Sequence, residues 1–527
     1  MVSVVTPIRE DYWQNFKLQE DDLEFLYSHL LEIETPLTSI ELVIALVNDR
    51  IRREKLAFEK QRTAGGEIYQ PKNSFQPNQY LIFPVLGWQN GQVVSVRPGK
   101  NPDISEFNVI QVRFEDGNTR EFASGLQYHL LNQPPKLPID SNNLNADFVL
   151  QEYSNTLTTI LEQYLNNNPD YVRIAGRWFP RTLLVDINVG HLNLAEAVLD
   201  EAEGGPLPTS KLLEQIELAP DVNPKLVDFS FDLALQEDPR FDEVGPAGDV
   251  LWFLHRLEPP HVQDTPVFLR YTEMEYESFM MTEEMLALER ALDDELSPLE
   301  PKFPQLDVEE IHLIFPHWIS GTLPLSSRIK HLFPTAYEAP RIRFMLVDGS
   351  TGERFPGWVV RDQRYVYGLK EWFDKRGLIP GSIVRVRRGR EPGEVIIETD
   401  SRRASREWIR TVLVGSDGGV VFAMLKQVVS TSIDDRMVIA VPDKASLEQV
   451  WKRTQKEQPP FERIVVNTIR ELAKLNPQGH VHASELYAAI NVIMRCPPGP
   501  ILSLMTSRPW FVHVGDLHYR LKDAGHL

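Results

Sequence analysis

Leu26-Tyr-Ser-His-Leu-Leu-Glu-Ile-Glu-Thr-Pro-Leu-Thr-Ser39-Ile-Glu-Leu42 sets one apolar helical stretch against a short break, a serine and a second apolar stretch. The phrase returns as Ala195-Glu-Ala-Val-Leu-Asp-Glu-Ala-Glu-Gly-Gly-Pro-Leu-Pro-Thr-Ser210-Lys-Leu-Leu213. It returns again as Ile469-Arg-Glu-Leu-Ala-Lys-Leu-Asn-Pro-Gln-Gly-His-Val-His-Ala-Ser484-Glu-Leu-Tyr487. A helix–turn–helix block written three times names the building unit before the fold is known. In the first copy, the spacing of Leu23, Leu26, Leu30 and then Leu42, Val43, Leu46, Val47 predicts two amphipathic helices. Thr38 and Glu41 are placed for a capping box at the second.

Working outward, the second copy is followed by Phe241-Asp-Glu-Val244-Gly245 and then Val250-Leu-Trp252-Phe-Leu. The third is followed by Phe511-Val-His-Val514-Gly515 and then Leu517-His-Tyr519-Arg-Leu. A phenylalanine, a Val-Gly turn and a short aromatic strand predict a β-hairpin after the helices. With that hairpin, copies two and three resemble HARE-type winged helices over residues 195–256 and 468–522. That family occurs in an RNA polymerase subunit and in chromatin and restriction proteins. The first copy reads as a helical pair without a hairpin, passing into strands instead.

Those strands are Tyr80-Leu-Ile-Phe, Gly91-Gln-Val-Val-Ser-Val, Asn108-Val-Ile-Gln-Val-Arg-Phe and Thr119-Arg-Glu-Phe-Ala, with Asp116-Gly117 as a hairpin turn. They resemble a small SH3-like barrel of the KOW or Tudor type, which implies RNA, tail or protein binding, or a filling role. Residues 132–146 read as a linker and 147–168 as a further amphipathic helix. Residues 273–295 predict an acidic helix with one apolar stripe, read as a solvated connection or a docking stripe.

Residues 310–400 alternate strands with one helix, Leu369-Lys-Glu-Trp372-Phe373-Asp-Lys-Arg, followed by Pro380-Gly-Ser-Ile-Val-Arg-Val-Arg-Arg-Gly-Arg390. The order resembles the pseudobarrel DNA-binding domain of plant auxin-response-type factors. Ser382 stands where that family has Asp, and Trp372 and Phe373 are adjacent instead of spaced. The resemblance implies two gripping arms, near Arg328 and Lys330 and near Arg361 and Arg364. Independently, Arg385, Arg387, Arg388 and Arg390 form a cation cluster on a strand and its turn. Period-two alternation puts Arg385 and Arg387 opposite Val384 and Val386. The guanidinium fork suits phosphate; a solvated face paired to Glu391 and Glu394 is the alternative. Arg402, Arg403, Arg406 and Arg410 are expected to continue this surface on a helix.

The net charge is −20 over 527 residues, but it is unevenly spread. Residues 1–336 hold 26 Lys and Arg against 53 Asp and Glu, and residues 337–527 hold 29 against 22. Only the second part offers a local basic surface; the first would meet protein partners. A single cysteine, Cys496, excludes an internal disulfide and a Cys-rich zinc finger. No phosphate loop, dinucleotide fingerprint or nucleophile elbow occurs. His480, His482, His513 and His518 could meet in the last unit, although His-x-His alone is a weak metal signal.

The expected fold class is therefore multidomain α+β: repeated winged-helix-like units with a small SH3/KOW-like β-barrel and a β pseudobarrel. The expected segments are a helical pair (1–62), the barrel (76–131), an acidic winged-helix domain (147–256), an acidic helical linker (257–309), the basic pseudobarrel (310–412) and a C-terminal winged-helix domain (413–527). The expected function is non-enzymatic, cytoplasmic binding of duplex DNA in regulation, defence or repair. The site residues are Arg328, Lys330, Arg361, Arg364, Arg385, Arg387, Arg388 and Arg390, with no catalytic residue, cofactor, metal or membrane contact. A protein–protein scaffold, or an enzyme whose site is assembled across domains, remain the alternatives.

Overall fold

The structure, a computed structural model, describes residues 11–63, 66–86, 89–101, 106–114, 116–133, 142–216, 223–300, 302 and 304–522, with side chains withheld for 57–63. The chain divides into two compact units, residues 1–185 with 221–229, and residues 186–220 with 230–527. Both are mixed α and β. Among the described residues no helix is long and apolar enough to cross a membrane. Most of the expected linker at 132–146 lies outside the described residues.

In the first unit, Thr38 and Glu41 form the expected capping box. The Thr38 amide donates to Glu41 Oε2 at 2.8 Å, and the Glu41 amide donates to Thr38 Oγ1 at 3.2 Å. The helices Glu20–Ile33 and Ser39–Thr63 are then joined by a third, Ala146–Asn166. Its buried stripe of Val149, Leu157, Leu161 and Leu165 has helical spacing. Between the second and third helices lies a five-stranded sheet in the order Glu67–Ile68, Tyr80–Phe83, Gln89–Pro98, Asn108–Phe114, Thr119–Ser124. Aromatic rings fill its interior, with Phe83 stacked at 4.8 Å on Tyr69 and set 4.4 Å from Phe122.

The expectation that the first copy lacks a hairpin is corrected here. A hairpin of Tyr171–Ile174 and Arg177–Pro180 follows the third helix, and its second strand pairs with the two-residue strand Leu37–Thr38. The hairpin belongs to the first copy but stands far downstream, because the whole five-stranded sheet is inserted ahead of it.

All three copies consequently share one topology. Each has a three-stranded antiparallel sheet whose central strand is the last in sequence. Its edges are the two-residue strand ahead of the second helix and the first strand of the hairpin. The register repeats as well: Leu37 faces Trp178, Leu207 faces Trp252, and Val481 faces Tyr519. These three aromatics are buried at equivalent positions. The Trp178 indole donates to Ser39 Oγ at 3.0 Å. The Trp252 indole donates to Asp232 Oδ1 at 2.9 Å and to Thr209 Oγ1 at 3.3 Å. Ser39 and Thr209 both open the second helix of their copy, where the third has Ala483 and uses Tyr519 in place of tryptophan.

A stability difference follows from those partners. Trp252→Phe leaves the buried Asp232 carboxylate one donor short and is expected to cost about 1–3 kcal/mol. Trp178→Phe should cost less, because the acceptor it leaves, Ser39 Oγ, is a neutral hydroxyl and not a carboxylate. Denaturant unfolding of the two variants checks the order; equal losses would refute it.

In the second unit a curled seven-stranded sheet carries the core. Its order is Val308–His312, Ile383–Arg388, Glu394–Glu398, Arg341–Asp348, Arg354–Val360, Tyr365–Tyr367, Thr322–Pro324, and only the pair Arg341–Asp348 with Glu394–Glu398 is parallel. Alternation along Arg341–Asp348 buries Ile342, Phe344, Leu346 and Asp348. Burial alone would raise the Asp348 carboxyl, but Arg376, the Ser350 amide and the Trp372 indole outweigh it and hold it at about 2. Those bonds fasten the helix Lys370–Arg376 to the sheet.

Ser382 is fully buried, its Oγ accepting the Ile379 amide at 3.0 Å beside the Thr431 hydroxyl at 3.3 Å. Gly381 precedes it at φ +92, where a Cβ would lie 2.3 Å from Val438 Cα. The residue pair is dictated by close packing.

Two further expectations change. The acidic helix spans only Glu283–Leu292, starting at the Thr282 cap, and Met281 and Met285 enter the main core. That core runs continuously from the sheet into the C-terminal copy, through Leu447, Trp451, Val465 and Ile490. The second change concerns Arg402–Arg410, which lie on a strand and not a helix.

Candidate nucleic-acid interface

Ser401–Val414 and Val420–Thr431 form a two-stranded antiparallel ribbon leaving the seven-stranded sheet at Asp400. Its root is fixed where Ser432 donates to the Asp400 carbonyl at 3.1 Å and Ile383 donates to the Ser432 carbonyl at 3.0 Å. The tip closes at Gly415-Ser-Asp-Gly-Gly419, with Gly415 and Gly419 joined at 2.8 Å and Asp417 Oδ1 accepting the Gly419 amide at 2.9 Å. Val412 and Phe422 near the tip are buried in the main core, while Ile409 and Val429 pack in a smaller cluster. Residues 402–406 are exposed on their strand.

Pairing puts Arg406 opposite Val428, Trp408 opposite Lys426, and Arg410 opposite Met424, all on one face. Trp408 is 62% exposed and Val428 61%, unusual for large apolar groups in an antiparallel pair. Lys426 Nζ lies 5.4 Å from the Trp408 ring centroid. Among the described residues, no carboxylate lies within ion-pair distance of Arg402, Arg403, Arg406 or Lys426; Arg402 meets only Ser432 Oγ, at 3.2 Å.

Arg410 behaves differently. It is buried, and its guanidinium donates to the carbonyls of Arg436 and Asp435 at 2.7 and 2.6 Å. Burial lowers its pKa, against the pull of Glu485. It pins the ribbon to the following loop.

The residues expected to bind are distributed as follows. Alternation holds on Ile383–Arg388, with Val384 and Val386 inside and Arg385 and Arg387 outside. Arg385 pairs with Asp400 and lies 3.6 Å from Glu310, and Arg387 pairs with Glu398 at 2.8 Å. Arg388 donates to the His331 carbonyl, which brings it beside Lys330. Lys330 and Arg390 are exposed and carry no ion pair among the described residues. Arg328 donates to the Arg290 and Ala291 carbonyls at 3.0 and 3.3 Å, closing the last turn of the acidic helix. Arg361 donates to the Ala339 carbonyl at 2.8 Å and Arg364 to the Glu295 carbonyl at 3.0 Å. Two strands separate the strand before Arg361 from the one bearing Arg385. The eight residues therefore do not form a single patch.

A neutralised arginine must break its ion pair before it can hold phosphate, so the four unpaired ribbon cations are the better placed. The sequence carried a signal for the ribbon: the Gly-Ser-Asp-Gly-Gly turn stands between Thr411-Val-Leu-Val and Val420-Val-Phe, a hairpin pattern.

The histidines of the last copy meet only in part. His482 and His518 rings are 4.9 Å apart, but Arg436 reaches His482 Nε2 at 3.0 Å and Nδ1 accepts the Ser484 amide. Burial and the Arg436 charge lower His482 to about 4. Both of its nitrogens are engaged by protein. Cys496 is buried, and burial pushes its thiol far above the usual range. Compared with known proteins, the chain matches no protein-family profile, no curated protein and no solved structure.

Proposed function

We propose that the three repeats are winged-helix units and that the protein binds duplex DNA through the ribbon Ser401–Thr431, with the exposed cations Lys330 and Arg390 adding phosphate contacts. The observation carrying this reading is the set of unpaired cations, Arg402, Arg403, Arg406 and Lys426, around an exposed Trp408. A two-stranded ribbon is of a size that the major groove, about 12 Å wide, admits. Arginine supplies bidentate phosphate contacts, which position the protein without reading sequence. The net charge of −20 does not prevent this, because screening over about 8–10 Å at cellular salt confines its reach.

Fluorescence anisotropy of the full chain with a labelled duplex, from 50 to 300 mM KCl, tests the reading. The logarithm of the affinity should fall linearly with the logarithm of salt, by about 0.9 per phosphate contact. Absence of binding at 50 mM would sink it. The exposed Val428 and Met424 beside the cations favour a second reading, docking of an acidic protein surface. Single-stranded DNA forms the discriminating arm: binding tighter than duplex, and weakened by Trp408→Ala, would assign the ribbon to base stacking.

A further inference from the structure

Asp242 lies on the hairpin strand Phe241–Glu243 of the second repeat, and His255 and Glu258 lie on the turn just after its central strand. Backbone pairing sets their positions: the His255 amide donates to the Arg240 carbonyl at 2.9 Å and the Glu258 amide to the His255 carbonyl at 3.2 Å. The Gln263 amide clamps the same turn, donating at 2.9 Å to the carbonyls of both His255 and Glu258. One ligand atom from each of the three side chains lies within 4.8 Å of the others. His255 Nδ1 is 3.2 Å from Asp242 Oδ2 and 3.5 Å from Glu258 Oε2. Tetrahedral zinc with bonds of about 2.0–2.2 Å places its ligand atoms about 3.3–3.6 Å apart. The spacing is that of a coordination edge.

Glu258 supplies a second, independent sign. Its side chain is fully buried, yet among the described residues neither carboxylate oxygen accepts a hydrogen bond. A buried carboxylate in that state is costly unless a cation meets it. Arg341 is the charge nearby, with Nη1 against Asp242 and 3.2 Å from Glu258 Oε2. Its Nε is held by the Val262 carbonyl at 3.1 Å. One guanidinium thus serves two carboxylates, and His255 Nδ1 stands at hydrogen-bond distance from Asp242 Oδ2.

We infer that Asp242, His255 and Glu258 form a binding site for a divalent transition-metal ion, zinc by ligand type, in which the metal takes the place of the Arg341 Nη1 contact. One nitrogen and two oxygens suit zinc among first-row ions, with a fourth position left for water. The site lies on a different element from the ribbon and stands or falls apart from nucleic-acid binding.

Isothermal titration of the chelator-treated full chain with ZnCl2 tests it. One ion per chain is expected, with affinity lowered at least tenfold by His255→Ala, a partly exposed position where the fold tolerates change. Arg341→Leu should tighten binding by removing the competing cation. His518→Ala should leave the titration unchanged, which separates this site from the C-terminal histidines. Circular dichroism establishes that each variant is folded. Absence of a one-to-one isotherm, an unchanged affinity in folded His255→Ala, or loss in His518→Ala would overturn the assignment.

Discussion

Replacing Arg402, Arg403 and Arg406 together with alanine is expected to weaken duplex DNA binding about 10²–10³-fold near 0.1 M salt, and to flatten the salt slope by about 2.7. Each lost phosphate contact removes about 0.9 from the slope, and among the described residues these three arginines have no carboxylate within ion-pair distance. Arg385→Ala with Arg387→Ala supplies the contrast. Both guanidiniums are already neutralised, by Asp400 and Glu398, so their removal should alter the slope far less. Anisotropy titrations at four salt concentrations measure both. A triple variant with the wild-type slope would acquit the ribbon, and a larger loss in the Arg385 and Arg387 variant would move the interface onto the sheet.

The largest stability loss is expected from Arg495→Met, at about 3–5 kcal/mol. The Arg495 side chain is fully buried, donating to Asp294 Oδ1 at 2.6 Å, Glu295 Oε1 at 2.7 Å and Asn491 Oδ1 at 3.1 Å. The Tyr487 hydroxyl completes Asp294 at 2.5 Å, and His317 Nε2 stands 3.2 Å from Glu295. Removing the guanidinium strands two carboxylates that are themselves buried. The pH dependence gives a sharper signature. Burial would raise the Glu295 carboxyl, yet Arg495 and His317 overcome it and hold it well below the usual carboxylate range. Its contribution is therefore present above the unfolded value near 4.5 and is lost as pH falls toward the depressed folded value. In Arg495→Met that depression disappears, so the gap from wild type should narrow as pH falls from about 5 toward 3. Urea unfolding across that range measures it, and a gap constant with pH would show that packing, not charge, is lost.

The local parts of this fold are legible in the sequence, and the non-local parts are not. The capping box at Thr38 and Glu41 and the strands Tyr80–Phe83 and Asn108–Phe114 depend on neighbours a few residues away, and they stand where spacing puts them. The hairpin of the first repeat is itself local, turning at Ala175-Gly176, but its membership of that repeat is hidden, because the third strand of its sheet lies more than a hundred residues earlier, across an inserted sheet. The ribbon was obscured by composition: Arg, Ala and Glu in residues 402–407 favour helix, whereas pairing with residues 424–431 decides for strand. Of the expected cations, period two placed Arg385 and Arg387 on the outer face. Nothing in their own strand, however, shows that Asp400 and Glu310 arrive from other elements at Arg385, and Glu398 at Arg387.

The inserted five-stranded sheet also bears on how the chain is made. The Trp178–Ser39 bond spans 139 residues. At ribosomal rates of about 5–20 residues per second, the second helix emerges roughly 7–28 s before the strand that closes its repeat. The insert draws its pairing from residues 67–124 and can finish first. A nascent chain that has emerged from the ribosome as far as residue 133 is therefore expected to carry a completed insert on an incomplete host, with Leu42, Val43, Leu46 and Val47 still awaiting Ala146–Asn166.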